Sequence, residues 1–424
     1  SSAASDVYKR QISLRATLAS SARMPQLPPY PQIPGERIDD REVSRELECR
    51  MCNVCGIRPG TFIPSLPASF TQKSFKSILN EDYWVCEKSD GIRVVVFLTK
   101  RPNTQEQELY LMDRKKTFFR IDMCASGDFS NQIGIFSDTV LDGELILESN
   151  KDKINTTVLL LFDCLAIKNE NVTRLPFQWR YACLQNQIRP SIHSFLEKRI
   201  HTNATLGFEF RIKRMMRAFQ IRDVLQSMQQ SPRCTDGLIF TCLSSRYSFG
   251  TNVKILKWKP SQSLTVDFLI RVRPEVYEGI GSKRRADAAH EKPVFELYAR
   301  TNDDSHVYFD DMRLNDDEWA RWMQFGNALD GRIVECAPFL VSSGTGISHT
   351  SWRPVRLRDD KIVANHQSVV TSTLESIHHG VSEEKLSDSA SSVAENWFNP
   401  NRWARRVQFE KNQSRVFSDL HLYS

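Results

Sequence analysis

The sequence predicts an α+β protein, a larger domain of antiparallel sheets with helices followed by a small β-barrel. Two observations carry the first part. Runs rich in β-branched and aromatic residues recur between turn signals from Arg93 to Lys259, and helical periodicity interrupts them at Trp179–Arg189 and Ile221–Gln230. A third carries the rest: a second β-rich stretch, Thr265 to Ala337, has a length that suits a small barrel. The 424 residues leave room for two folded units plus tails, placed at 31–262 and 263–361, with a leader over 1–30 and a tail over 362–424.

The leader is read as disordered or non-native. Ser1–Gln11 has neither an initiator methionine nor an apolar core, so it is no secretory signal. Prolines between Met24 and Pro34, then Gly35, impose an extended lead-in. From Glu36 to Cys55 the pattern turns helical, with Asp39 or Asp40 available as the cap. Strands are then expected at Arg93–Thr99, Glu108–Asp113, Val140–Leu147, Thr157–Leu165, Gly237–Cys242 and Val253–Lys259. In the barrel they are expected at Phe268–Val272, Phe295–Ala299, His306–Phe309 and Ile333–Cys336. After Lys361 the chain turns polar, and Ser368–Ser392, rich in Ser and Glu, is expected to be largely disordered, with room for a helical part packing back around Trp397–Arg406.

Composition excludes little but is consistent. The longest apolar run, Val158–Phe162 with its neighbours, is far shorter than the roughly 20 residues a membrane helix needs, so no membrane partner is expected. A net charge of +6 is ordinary surface charge and by itself points to no nucleic acid. Ten scattered cysteines suit a reducing compartment. Cys49, Cys52 and Cys55 could belong to a zinc or iron–sulfur site, or be small apolar sulfurs that a helix buries.

The chemistry-bearing residues fall in a fixed order, each at the edge of an expected strand. Lys88-Ser89-Asp90-Gly91-Ile92-Arg93 comes first, then Asp113-Arg114, Asp142-Gly143-Glu144, Asp163 after Leu159–Phe162, Asp236-Gly237-Leu238-Ile239-Phe240, Lys257-Trp258-Lys259-Pro260 and Arg356-Leu357-Arg358-Asp359-Asp360-Lys361. A lysine before an Asp-Gly turn is often only a surface residue. The ordered set is what gives it meaning.

This set resembles motifs I, III, IIIa, IV, V and VI of the covalent nucleotidyltransferase superfamily of capping enzymes and polynucleotide ligases, over roughly Ile33 to Lys361. Cys86–Arg93, Asp236–Thr241 and Leu256–Pro260 are most similar to the fungal type of capping guanylyltransferase. The resemblance implies a nucleotidyltransferase domain of the ATP-grasp-like ligase type followed by an OB-fold. It implies that Lys88 takes GMP from GTP as a lysyl-GMP intermediate and passes it to 5′-diphosphate RNA. A lysine attacks only when neutral, and a free pKa of about 10.4 leaves roughly one in 2,500 neutral at pH 7. Desolvation and neighbouring cations such as Lys257, Lys259 or a metal favour the neutral amine.

Further roles follow from the resemblance. Lys257 and Lys259 would stabilise charge on the phosphates. Asp142, Glu144 and Asp236 would supply oxygen ligands for Mg2+ or Mn2+, with Glu144 and Asp236 also at the GTP. Arg93 and Arg114 would hold the ribose and Phe162 would stack on the purine, although its alternation also fits plain core. Lys213 would meet the guanine, although it also reads as a solvated lysine beside Arg211 and Arg214. Arg356, Arg358, Asp360 and Lys361 would reach the β- and γ-phosphates when the barrel domain closes. Pro354 departs from the family's usual aromatic or aliphatic residue and leaves that stretch's geometry open.

An ATP-dependent polynucleotide ligase using the same lysine is the alternative. Against it stand Ser89, where ligases more often carry a bulkier residue, Trp258 between the two lysines, and no extra DNA-encircling domain before the core. A non-catalytic RNA-binding module is a further reading, disfavoured because every charged position is kept. No triphosphatase motif is present, so the resemblance implies a separate RNA 5′-triphosphatase subunit, the phosphorylated tail of RNA polymerase II as a partner, and work in the nucleus.

Overall fold

A computed structural model describes residues 31–100, 107–122, 137–149, 155–199, 206–273, 294–322, 329–342, 348–358 and 361–419. The chain divides into two compact units, Pro260–Gly380 and the pair Pro29–Lys259 with Val381–Ser424. Both contain mixed helices and mainly antiparallel sheet, as the α+β reading expects.

The larger unit opens with a helix over Arg41–Cys55. Asp40 caps it by accepting from the amides of Glu42 and Val43 at 2.8 and 3.3 Å, and Gly56 ends it in the left-handed region at φ 68°. One sheet runs, in spatial order, through Glu36–Arg37, Phe118–Ile121, Gln107–Met112, Ile92–Lys100, Thr139–Ser149, Asn155–Ile167 and Glu209–Ile212; only the last pair is parallel. Its central strands are buried on both faces, which explains their near-continuous apolar runs. Val94, Val96 and Leu98 pack toward Phe177, Tyr181 and Leu184, whereas Val95 and Phe97 pack on the opposite face with Leu47, Met51, Cys52 and Cys55. The sulfurs of Cys52 and Cys55 are thus core, and burial pushes the two thiols up to about 11 and about 12.

A second sheet orders Met216–Arg217, Tyr83–Ser89, Thr235–Cys242, Gly250–Trp258 and Ser65–Ser69, with the last pair parallel. The chain passes from this sheet to the first through Asp90-Gly91. A Cβ on Gly91 would lie 2.2 Å from the Leu145 carbonyl oxygen, so only glycine lets Lys88 and Arg93 sit on neighbouring strand ends.

In the smaller unit five strands follow the order His306–Asp311, Val294–Arg300, Val266–Arg273, Ile333–Ser342, Ser348–Leu357. A parallel bridge from Met312 to Trp352 joins the two ends, and a helix, Asp316–Trp322, lies between the third and fourth strands in sequence. This closed five-strand circuit is the OB-fold topology. Phe268, Phe295, Leu297 and Trp352 fill its interior.

The expectation of a largely disordered tail is corrected. Gln367–His379, Glu383–Phe398 and Pro400–Asp419 are helices, the first belonging to the smaller unit and the other two to the larger. Ser and Glu content concealed an apolar stripe: Leu386, Ala390, Val393 and Trp397, at helical spacing, are all buried. Trp397 meets the Phe219 ring edge-on at 5.6 Å. The buried indole of Trp258 donates from Nε1 to the Val381 carbonyl at 2.7 Å, which fixes the returning chain to the second sheet.

Candidate active site

Three adjacent strands of the second sheet bring the lysines together around one carboxylate. Lys88 lies near the end of Tyr83–Ser89, Asp236 near the start of Thr235–Cys242, and Lys257 and Lys259 at the end of Gly250–Trp258 and just beyond it. The pairing of Tyr83–Ser89 with Thr235–Cys242 shifts between Thr235 and Leu238, a bulge that re-aims Asp236. Gly237 makes the bulge possible: its φ is 153°, and a Cβ there would lie 2.0 Å from the Trp258 carbonyl oxygen. Asp236 then accepts from Lys88 Nζ at 2.7 Å and meets Lys259 Nζ at 2.5 Å. Desolvation, and then the charges of Lys259 and Lys88, hold the Lys257 ammonium below the usual lysine range.

The first sheet supplies the facing wall. One cavity is lined by Lys88, Arg93, Arg114, Glu144, Phe162 and Lys213, all singled out in the sequence, together with Asp142 and Asp163. Phe162 stands at a second bulge. Asp142 pairs with Asp163 and Gly143 with Leu161, so Phe162 is the extra residue, and the Arg93 guanidinium lies 5.2 Å from its ring centre. Lys213, expected to be solvated if not functional, is buried and donates to Ser89 Oγ at 2.8 Å. Arg114 is exposed on the turn that Asp113 Oδ1 holds by accepting from the amides of Lys115 and Thr117, each at 2.8 Å.

The expected metal ligand Asp142 also lines this cavity, but its carboxylate is taken up by neighbouring donors. It is 0% exposed, accepts from Arg93 Nε at 2.9 Å and Nη2 at 2.5 Å, and accepts from Tyr247 Oη at 2.6 Å. Such a carboxylate is committed to holding Arg93. Asp163 is likewise taken by the buried Arg180, at 2.7 and 2.9 Å. Glu144 is different. Desolvation raises its carboxyl above the usual range despite the opposing charges of Lys213, Lys88 and Arg93.

In the smaller unit Arg356 Nε donates to Glu335 at 2.5 Å, Arg358 Nη1 donates to both oxygens of Asp267 at 3.0 and 3.1 Å, and Lys361 Nζ also donates to Asp267. Asp360 lies outside the described residues. The pairing of Ser348–Leu357 with Ile333–Ser342 skips Val355, so Pro354 sits beside a bulge, a place where a missing amide hydrogen is tolerated.

Matches to known families agree with this arrangement. The family model of the mRNA capping enzyme catalytic domain matches residues 31–261, and that of the mRNA capping enzyme C-terminal domain matches residues 264–387. The chain belongs to the mRNA capping enzyme family. The mRNA-capping enzyme subunit alpha of Yarrowia lipolytica is 32% identical over 395 residues, covering 92% of this chain and 96% of that protein. The subunit of the same name from Saccharomyces cerevisiae is 32% identical over 410 residues, covering 87% of each. Among solved structures, the ATP-dependent DNA ligase from bacteriophage T7 in complex with ATP matches 69% of this chain and 98% of that chain at 14% identity and a TM-score of 0.34.

Family membership makes the chain a nucleotidyltransferase and decides between the two enzymatic readings in favour of the capping guanylyltransferase over the ligase. Sequence reasoning missed Tyr247, which donates to Asp142, and Glu335 and Asp267, which accept from Arg356 and from Arg358 and Lys361. Nothing in their spacing gives a signal, since Tyr247 and Asp142 stand 105 residues apart.

Proposed function

We propose that Lys88 is the nucleophile of mRNA 5′-cap guanylyl transfer. Its neutral Nζ attacks the α-phosphorus of GTP, the bond to the β-phosphate oxygen breaks, and pyrophosphate leaves behind a lysyl-N-GMP. A terminal oxygen of 5′-diphosphate RNA then attacks the same phosphorus, releasing the Lys88 amine and forming GpppN-RNA. The observation that carries this reading is the placement of Lys88 Nζ 2.7 Å from Asp236, beside Lys257 and Lys259, at a cavity shared with Arg93, Arg114 and Lys213.

In this reading Asp236 orients the attacking amine while Lys257 and Lys259 offset charge building on the phosphates. Arg93 and Arg114 hold the ribose, Phe162 stacks on the purine and Lys213 meets the guanine edge. Arg356, Arg358 and Lys361 serve the β- and γ-phosphates, which must displace Asp267 and Glu335 as their partners. A divalent cation, Mg2+ or Mn2+, suits a site of one or two carboxylates completed by substrate phosphates. Glu144, whose carboxyl is raised by burial despite its neighbouring cations, and Asp236 would hold it, and it would stabilise charge on the α-phosphate and the leaving pyrophosphate.

The relatives' description as an alpha subunit supports a second subunit here, which we propose to be the RNA 5′-triphosphatase that makes the diphosphate end. Work in the nucleus beside the phosphorylated RNA polymerase II tail completes the reading. Radiolabelled GTP and a denaturing gel test its centre. Wild type should carry a GMP-linked band and no AMP-linked band from ATP, and Lys88→Ala and Lys88→Arg should both lose it, since a guanidinium stays protonated. An adduct persisting in Lys88→Ala would refute the assignment.

A further inference from the structure

Arg93 is held by three acceptor oxygens on two residues, and one hydroxyl bonds to both of those residues. The guanidinium donates to both oxygens of Asp142 and, from Nη1, to the Ser65 carbonyl at 2.6 Å. Tyr247 Oη donates to Asp142 Oδ2 at 2.6 Å and accepts from the Ser65 amide at 3.0 Å. The carboxylate and the strand end that receive Arg93 are therefore tied to each other through the tyrosine. The ring is itself fixed: it is 6% exposed, its backbone amide donates to the Thr173 carbonyl at 2.9 Å, and the Arg180 guanidinium lies 5.6 Å from its centre.

We propose that Tyr247 is a positioning residue for nucleotide binding, setting the direction in which Arg93 presents its guanidinium to the ribose hydroxyls. This rests on the reading that Arg93 holds the ribose. Asp142 balances the Arg93 charge but, bound from one side only, could swing with it. The Tyr247 hydroxyl, approaching Asp142 Oδ2 from the ring's fixed position, removes that freedom.

The test compares GTP with a GTP analogue lacking both ribose hydroxyls, following lysyl-GMP formation by the full chain. Tyr247→Phe should raise KM for GTP about tenfold while kcat falls less than about threefold, and should leave KM for the analogue unchanged. In an Arg93→Ala background the same substitution should add nothing. A merely structural role would lower kcat, raise KM for both nucleotides alike and add to Arg93→Ala, and any of these results would overturn the proposal. Asp142→Asn, which keeps the size of the group, should give the same nucleotide-selective KM change and provides the decision if Tyr247→Phe is insoluble; an equal rise for both nucleotides would count against the proposal. If Arg93→Ala itself fails to distinguish GTP from the analogue, the ribose reading fails instead.

Discussion

Replacing Asp236 by asparagine removes one charge and almost no volume, and the geometry sets two separate magnitudes for it. At 2.7 Å from Lys88 and 2.5 Å from Lys259, each attraction is at most about 7 kcal/mol for an effective dielectric constant near 20. These side chains are 25%, 27% and 31% exposed, so solvent screening and desolvation reduce the net stabilisation to about 1 kcal/mol per pair. Stability should thus fall by about 2 kcal/mol, a Tm decrease of roughly 4–8 °C for a unit of this size. The chemical loss should be larger. Without the carboxylate, Lys88, Lys257 and Lys259 repel one another and Nζ loses its anchor, and a displacement of about 1 Å costs roughly 100-fold. Single-turnover labelling with GTP should show that fall in adduct rate well below the variant's Tm. A rate within threefold of wild type, in a folded Asp236→Asn protein, would refute the claim that this carboxylate places the nucleophile.

Arg358→Ala and Lys361→Ala should slow lysyl-GMP formation about 100-fold, the equivalent of roughly 3 kcal/mol, while GMP transfer from preformed adduct to diphosphate RNA stays within about tenfold of wild type; equal damage in both half-reactions would contradict it. Removing residues 381–424 should destabilise the larger unit, because Val381, Leu386, Val393 and Trp397 are buried and each contributes about 1.5–3 kcal/mol. The check is soluble yield and Tm, and a truncated protein melting like wild type would be the contrary result. For Glu144 the folded carboxyl is raised above its unfolded value, so its contribution favours folding below the carboxylate range and is lost as pH rises through the folded value. Glu144→Gln should therefore have a higher Tm than wild type at pH 7 and an equal one below about pH 4; a lower Tm at pH 7 would contradict the desolvation argument.

The fold was legible where periodicity and turn chemistry agree. The strand expected at Arg93–Thr99 is observed at Ile92–Lys100, and the helix expected at Ile221–Gln230 at Ile221–Gln229. Composition misled at the tail, where the stripe Leu386, Ala390, Val393, Trp397 carries the fold and the serines between are neutral. Lys88, Arg93, Arg114, Glu144, Phe162 and Lys213, named from the ordered motifs and the resemblance they carry, line one cavity, Glu144 and Phe162 reaching it from the middle of long strands. Alternation did not decide Phe162, because it keeps step with the buried Val158 and Leu160 and so reads equally as core, while the bulge shifts the facing of the residues that follow it.

The carboxylates show why residue type alone could not assign roles. Asp142 and Asp163 face each other across paired strands, 0% and 3% exposed, and each receives two donors from one arginine. A guanidinium fork fills both oxygens of a carboxylate and stays charged, so these two pairs cannot release their partners without stranding a buried charge. They fix geometry. Asp236 instead meets two ammonium groups, one per oxygen, at the cavity side of the second sheet. Ammonium contacts are single, rotatable and partly solvated, so phosphate or a cation can replace them at low cost. By residue type alone Asp142, Asp163 and Asp236 are alike, the first two following apolar residues and the third preceding them, and Asp142 and Asp236 were given the same expected role at a metal. It is the partner, arginine for the first two and lysine for the third, that separates the acids of the scaffold from the acid beside the proposed nucleophile.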